Sequence, residues 1–199
     1  MAEYSAAEMK DLLDQYPKFK DKLYCRGFLL TNSGEVAVTT DYPFYGNWKE
    51  ESLARDYKLF LHKDTDVWSY RDGEALFFIV GHAYDPFEML SDEYEILRRL
   101  AAARRRSEAA FWEEESNLTG IFLLGYINEE GLVYSTDCTG MQLTYHGIVK
   151  GSLYITSHSK LVADLCGLKQ DPYVVKLVNS KFYRYFGIVL PGDLFLIRS

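Results

Sequence analysis

Residues 118–145 read LTGIFLLGYINEEGLVYSTDCTGMQLTY, and they give the strongest indication of the fold class. Apolar and aromatic runs at 120–127, 132–136 and 142–149 have the length of β-strands, and the Asn-Glu-Glu-Gly at 128–131 is a turn signal between the first two. A further strand is predicted at 152–156, after the turn Lys150-Gly151. Consecutive strands joined by short turns form hairpins, so this part of the chain predicts an antiparallel sheet.

A second group of strands is predicted upstream. Runs at 23–31 and 35–40 flank the turn signal Asn32-Ser33-Gly34 and predict a hairpin. The continuous apolar run ALFFIV at 75–80 predicts a strand that is covered on both faces, in the centre of a sheet. The other strands of this group are predicted at 57–62 and at 67–70, the latter before a turn at Asp72-Gly73.

Helices are predicted around both groups of strands. Ser5 and Glu8 have capping-box spacing at the start of a short amphipathic helix that ends by Pro17. Ser91 can cap a helix that continues to Glu115. Later elements are a helix at 159–166 that ends at Gly167, a helix after Pro172 and a last strand at 192–197. The pattern predicts an α+β protein with two antiparallel sheets stacked between outer helices.

Composition excludes several classes of partner and site. The chain of 199 residues has a net charge of −7, which disfavours nucleic acid and anionic membrane surfaces as partners, because both attract basic faces. Five arginines between positions 98 and 106 are interpreted as a solvated helix face, with phosphate binding as the alternative. The charged N-terminal residues lack the apolar stretch of a signal peptide or membrane span, so we expect a cytoplasmic location.

Cysteine and histidine spacing predicts no metal and no disulfide. Cys25, Cys138 and Cys166 are an odd number at wide spacings, which fits a reducing compartment. The three histidines considered as ligands, His82, His146 and His158, fall on different predicted elements without ligand spacing. We therefore expect neither a metal nor another cofactor.

Several segments together resemble the glutaminase domain of class-II glutamine amidotransferases, as found in asparagine synthetase and β-lactam synthetase. Residues 118–145 are similar to the family's succession of leucine, glycine, strand, turn, strand, Asp-bearing segment and aromatic pair. Residues 153–162, LYITSHSKLV, resemble the strand and short helix that follow. Gly81-His82-Ala83-Tyr84 resembles the oxyanion-strand motif, and the leucine, proline and glycine at 190–192 resemble the closing residues of the domain.

The resemblance implies a four-layer αββα sandwich of the N-terminal-nucleophile hydrolases. Residues 1–24 are then an N-terminal extension with a short amphipathic helix, and residues 25–199 are the glutaminase-like domain. The family hydrolyses the side-chain amide of glutamine and passes ammonia to a synthetase domain that activates a carboxylate with ATP. An ATP-dependent synthetase domain or subunit is therefore the implied partner, and glutamine or a small amino acid the implied ligand.

The family's reaction needs a cysteine whose own free α-amine acts as the base. The chain begins Met1-Ala2, so removal of Met1 would expose alanine. Cys25 resembles the cysteine that starts the family's first strand, but its amine becomes free only after cleavage of the Tyr24–Cys25 bond. The other interpretation of Cys25 is a small apolar residue buried in a strand.

The remaining implied site residues are partly replaced. Val80 and Gly81 stand where the family has an asparagine amide and a glycine N–H, so only the Gly81 backbone N–H is kept as an oxyanion donor. No arginine is available in residues 57–67 to clamp the substrate carboxylate; Lys58, His62 and Lys63 are weak substitutes. Asp92 resembles the aspartate that binds the substrate amine, and it is equally suited to cap a helix.

These substitutions predict a non-catalytic domain that keeps the fold and serves as a structural or partner-contacting module of an asparagine-synthetase-like system. Two alternatives remain open. One is an active glutamine amidohydrolase that supplies ammonia after maturation at Cys25. The other is a ligand-binding module whose cleft is lined by Gly81, Asp92 and aromatic residues.

Overall fold

Ten β-strands form two antiparallel sheets in the computed structural model, which describes residues 4–169, 171–186 and 194–196. The predicted α+β class with two antiparallel sheets is thereby confirmed. The chain divides into two compact units. The first takes the described residues within Met1–Glu51, Lys58–Asp64 and Tyr145–Leu196, and the second those within Ser52–Tyr57 and Thr65–Thr144.

The first unit contains a six-stranded sheet with the order β10-β8-β9-β1-β3-β2. Strand β1 is an interior strand, since Leu30 pairs with Leu59 of β3 on one side and with Ile155 of β9 on the other. All four residues of β1 are buried. The strands are β1 (Phe28–Thr31), β2 (Trp48–Ser52), β3 (Lys58–His62), β8 (Tyr145–Val149), β9 (Ser152–Thr156) and β10 (Leu194–Leu196).

The helices of the first unit begin and end at the expected signals. Ser5 and Glu8 form the predicted capping box of α1. Gly167, with φ at +64°, ends α4 in the left-handed conformation that glycine adopts without steric cost. The helices are α1 (Ala6–Gln15), a 3₁₀ helix (Pro17–Lys22), α4 (Ser159–Cys166), α5 (Pro172–Val178) and α6 (Lys181–Phe186).

A cluster of buried side chains joins the six-stranded sheet to α4. Leu29, Phe60 and Tyr154 come from the strands, and Leu161 and Val162 from the helix. Each large apolar side chain taken out of water in this way stabilises the fold by about 1.5–3 kcal/mol. The cluster fixes one face of the sheet.

The second unit has a four-stranded sheet with the order β4-β5-β6-β7 and two helices packed on it. Leu97, Leu100 and Phe111 of the helices contact Phe77 and Tyr126 of the strands in a second buried cluster. The run predicted at 75–80 lies in β5, an interior strand, as its apolar sequence indicated. The elements are β4 (Val67–Asp72), β5 (Ala75–Tyr84), α2 (Glu93–Arg106), α3 (Glu108–Glu115), β6 (Thr119–Asn128) and β7 (Gly131–Thr136).

The predicted hairpin of strands 23–31 and 35–40 is wrong. Only Phe28–Thr31 is a strand, and both of its edges are already paired with β3 and β9, so no edge remains for residues 35–40. Side-chain hydroxyls turn the chain instead: Thr31 Oγ1 accepts from the Ser33 N–H and Ser33 Oγ from the Glu35 N–H. Val36 is nevertheless buried in the cluster beside α4.

Other helix and strand boundaries differ from the predicted ones, and local hydrogen bonds explain the differences. The helix predicted at 91–115 is two helices, because Ser107 is extended and caps α3 through its hydroxyl. Asp92, not Ser91, is the N-cap of α2. The strand predicted from 142 starts at Tyr145, because the N–H groups of Met141 and Gln142 donate to the Asp137 carboxylate.

Two further predictions fall wholly or partly outside the residues that the structure describes. The leucine, proline and glycine at 190–192 lie outside them. Of the strand predicted at 192–197, Leu194–Leu196 is described and is a strand. In the part of the chain that the structure describes, no helix combines the length and the apolar character that crossing a bilayer would need.

Candidate functional site

Cys25 lies in a tight turn between the 3₁₀ helix and β1, in the first unit. Tyr24 and Arg26 on either side of it have positive φ angles of 52° and 56°, and the Gly27 N–H donates to the Tyr24 carbonyl at 2.9 Å. A β-carbon at Gly27 would come within 2.7 Å of that carbonyl oxygen. The glycine therefore allows the turn that presents the Cys25 side chain at the entrance of β1.

Strand β3 brings a histidine and an aspartate to the same place. The N–H of His62, the last residue of β3, donates to the Gly27 carbonyl at 2.9 Å and so continues the β1–β3 ladder to the turn. Asp64 follows two residues later, and its Oδ2 accepts from the Cys25 thiol at 3.7 Å. His62 Nδ1 lies 3.8 Å from the same carboxylate oxygen. One atom from each of the three side chains thus lies within 4.8 Å of the others.

The His62 ring is buried while the Asp64 carboxylate reaches solvent. The His62 side chain has 0% exposure and that of Asp64 49%. Burial lowers the pKa of His62, so the ring is neutral at pH 7. Because Nδ1 accepts from the Asp64 N–H at 3.2 Å, the ring hydrogen belongs on Nε2.

A second polar network lies on the other side of Tyr24. The Tyr24 hydroxyl donates to Asp164 at 3.1 Å, and Tyr42 and Lys160 make short hydrogen bonds to the same carboxylate. Burial raises the pKa of both tyrosines well above the ordinary value, so both stay protonated donors. The Tyr24 ring also contacts His158 edge-on, with 5.3 Å between ring centroids. This network holds the residue before Cys25 in place.

The arrangement at Cys25 differs from that of an activated thiol nucleophile. The thiol donates to a carboxylate, and His62 Nδ1 is engaged by a backbone N–H. A nucleophile needs instead a base within reach that takes its proton. The backbone nitrogen of Cys25 is in a peptide bond and donates to the Lys22 carbonyl at 3.3 Å. What the three side chains do share is the chemistry of metal ligands: one sulfur, one imidazole and one carboxylate.

The two other predicted site residues belong to the second unit. Gly81 lies in β5 with φ at +97°, and its N–H donates to the Asp66 carbonyl at 3.0 Å. Asp92 Oδ1 accepts from the Glu95 N–H at 3.0 Å as the cap of α2. Each group thus has a local partner. A cleft of the second unit is lined by other residues, among them Arg55, Arg71 and Glu129.

Sequence reasoning singled out Cys25 but missed the residues that accompany it. The sequence indicates His62 only as a weak substitute for the carboxylate clamp, and it indicates no role for Asp64. The available signal was a His-x-Asp at the end of the strand predicted at 57–62. It became meaningful only through the pairing of β3 with β1, which the incorrect hairpin at 35–40 concealed.

Comparison with known proteins assigns no family: no family model matches the chain, and no curated protein matches it significantly.

Proposed function

We propose that this chain is a degenerate glutamine amidotransferase-like domain that does not hydrolyse glutamine. It keeps the four-layer αββα sandwich of the N-terminal-nucleophile hydrolases and acts as a structural or partner-contacting module beside an ATP-dependent, asparagine-synthetase-like enzyme. The two antiparallel sheets, each with helices packed on it, support the fold part of this proposal. The state of Cys25 supports the functional part.

The observation that carries the proposal is the backbone nitrogen of Cys25. The glutaminase reaction uses this nitrogen as a free amine, because an amine beside the thiol can take its proton. Here it is an amide that donates to the Lys22 carbonyl. The segment before it is anchored, with Leu13 and Tyr24 both buried. An amide nitrogen has no basic lone pair, so the thiol lacks its base.

The oxyanion and amine-binding positions give further support. The Gly81 N–H, the donor kept from the implied oxyanion site, already donates to the Asp66 carbonyl. The Asp92 carboxylate is engaged as a helix cap. Loss of one oxyanion donor alone typically costs about 10²–10³ in rate. These losses together favour a domain without glutaminase activity.

A second candidate is an active amidohydrolase that matures by cleavage before Cys25. It is favoured by the position of Cys25 at the entrance of an interior strand and by the positive φ of Tyr24, the residue that would be released. Cleavage would give Cys25 the free amine that it now lacks. The two candidates predict different masses and different activities.

The experiment compares the intact protein with Cys25→Ala and with Cys138→Ala, whose thiol lies in the second unit and is exposed. After incubation with glutamine we expect the mass of each chain to retain residues 1–24, apart from removal of Met1. We also expect ammonia release at the buffer level in all three proteins. A species that starts at Cys25, together with ammonia release that only Cys25→Ala abolishes, would overturn the proposal in favour of the amidohydrolase.

A further inference from the structure

The cluster of Cys25, His62 and Asp64 has a use that does not depend on glutamine chemistry. Its three potential ligands come from two firmly placed elements: the turn before β1, and the end of β3. The hydrogen bond from the His62 N–H to the Gly27 carbonyl joins these elements. The Trp48 ring packs edge-on against His62 with 6.0 Å between ring centroids. The side chains therefore converge because the sheet brings them together.

We propose that Cys25 Sγ, His62 Nδ1 and the Asp64 carboxylate form a three-ligand binding site for a zinc ion. Zinc accepts sulfur, imidazole nitrogen and carboxylate oxygen in one tetrahedral shell. Magnesium and calcium prefer all-oxygen shells, so the thiol and imidazole disfavour them. Binding replaces the thiol proton by the metal, releases that proton to solvent and leaves the cysteine as a thiolate.

The distances suit such a site. With zinc bonds of about 2.0–2.3 Å, ligand atoms in a tetrahedral shell lie about 3.3–3.5 Å apart. The thiol sulfur lies 3.7 Å, and the imidazole Nδ1 3.8 Å, from Asp64 Oδ2. A contraction of a few tenths of an ångström brings these two pairs to tetrahedral spacing, and the exposed Asp64 side chain can make this movement. The third pair, Cys25 Sγ and His62 Nδ1, lies within 4.8 Å, so the half-buried Cys25 side chain must approach the fixed histidine by at most about 1.3 Å.

The buried histidine presents the nitrogen that a metal needs. The His62 side chain has 0% exposure, so packing fixes the orientation of its ring. Nδ1 faces Asp64 and carries a lone pair rather than a hydrogen, since it accepts the Asp64 backbone N–H at 3.2 Å. A metal ion on Nδ1 would take the place of that N–H at the lone pair.

Three protein ligands leave the fourth position of the zinc shell for water or a small anion. The side of the site at Asp64 is the exposed one, with about half of that side chain accessible. The fourth position therefore faces solvent, as in zinc sites that bind an exchangeable ligand. Solvent can also replace Nδ1 as acceptor for the Asp64 N–H, because Asp64 lies at the surface.

The test is a titration of the chelator-treated chain with Co²⁺, which replaces zinc and reports on its own ligands. We expect one cobalt per chain, an intense near-ultraviolet thiolate-to-cobalt charge-transfer band, and displacement of cobalt by one equivalent of zinc. Cys25→Ser should remove the band, and Asp64→Asn should weaken zinc binding at least about tenfold. Cys138→Ser is the matched control and should leave band and affinity unchanged, because its thiol is exposed and belongs to the second unit.

Three outcomes would overturn the site. They are a titration that does not saturate, a charge-transfer band that survives in Cys25→Ser, and a band lost equally in Cys138→Ser. If Cys25→Ser does not fold, as judged by circular dichroism, Asp64→Asn decides, because it changes a half-exposed side chain. Ammonia release plays no part in the readout, so failure of the zinc site and failure of the proposed function are separate results.

Discussion

Gly120 shows how a single missing side chain permits the close pairing of two strands. It pairs with Ala83 of β5, one residue after the pairing of β6 with β5 begins, and its φ is +135°. A β-carbon there would lie 2.2 Å from the His82 carbonyl oxygen, well inside any real contact distance. Gly81 is in the reciprocal position on β5, where a β-carbon would lie 2.2 Å from the Ile121 carbonyl oxygen. Both glycines are required by space as well as by backbone angle.

Gly120→Ala should therefore destabilise the protein by about 2 kcal/mol or more beyond the cost of the same change at Gly131. Gly131 has nearly the same φ, +132°, but open space around the position of a β-carbon. The difference between the two variants isolates the steric clash from the backbone penalty. Denaturant unfolding of both variants measures it. Equal free energies of unfolding would show that backbone angle alone explains the glycine.

At the scale of elements, the segment after β7 is organised by one buried carboxylate. The Asp137 side chain has no exposure and accepts from Thr139, Met141 and Gln142. Burial by itself would raise the pKa of Asp137, but these hydrogen bonds outweigh it and the pKa is lowered. The ionised Asp137 carboxylate is thus stabilised more strongly in the folded chain than in the unfolded chain.

Asp137→Asn should lower the free energy of unfolding at pH 7 by about 2 kcal/mol. A lowered pKa in the folded state gives stability that is present above the unfolded value of about 3.9 and is lost as the pH falls through the folded value. The difference in the free energy of unfolding between wild type and variant should therefore disappear below about pH 4. Thermal unfolding across that range measures this difference, with Asp11→Asn, an exposed change on α1, as control. A difference independent of pH would contradict the carboxylate's role.

Local patterns predicted elements well where the element depends on its own residues. The helix at 159–166 and the strand at 152–156 were placed to the residue, because the apolar spacing, the ending glycine and the flanking turns are all local signals. The strand at 35–40 failed because pairing is non-local: β1 takes β3 and β9 as neighbours, from distant parts of the chain. The residues that accompany Cys25 could not be predicted for the same reason. Cys25 carried a visible signal, but its partners came from β3.

At the scale of the whole molecule, basic side chains lie beside acidic ones, and the acidic residues are in excess. The net charge is −7, and four of the five arginines around α2 lie beside carboxylates. Arg105 contacts Asp72 at 2.6 Å, and Arg99 contacts Glu114 at 2.6 Å as well as the buried Asp85 at 3.3 Å. Arginines engaged in this way offer little free charge to an external phosphate.

This distribution favours a solvated helix face over a phosphate-binding face, and it predicts that the chain does not bind nucleic acid. A phosphate-binding surface gains affinity by releasing counterions, so its binding strengthens steeply as salt is lowered. We expect no change in the fluorescence anisotropy of labelled duplex DNA or single-stranded RNA, either at about 0.15 M salt or at about 0.01 M, where screening is weak. The informative variant is Asp72→Asn, which releases Arg105 from its partner. Binding that appears at low salt in the wild type, and strengthens in Asp72→Asn, would show that these arginines contact phosphate after all.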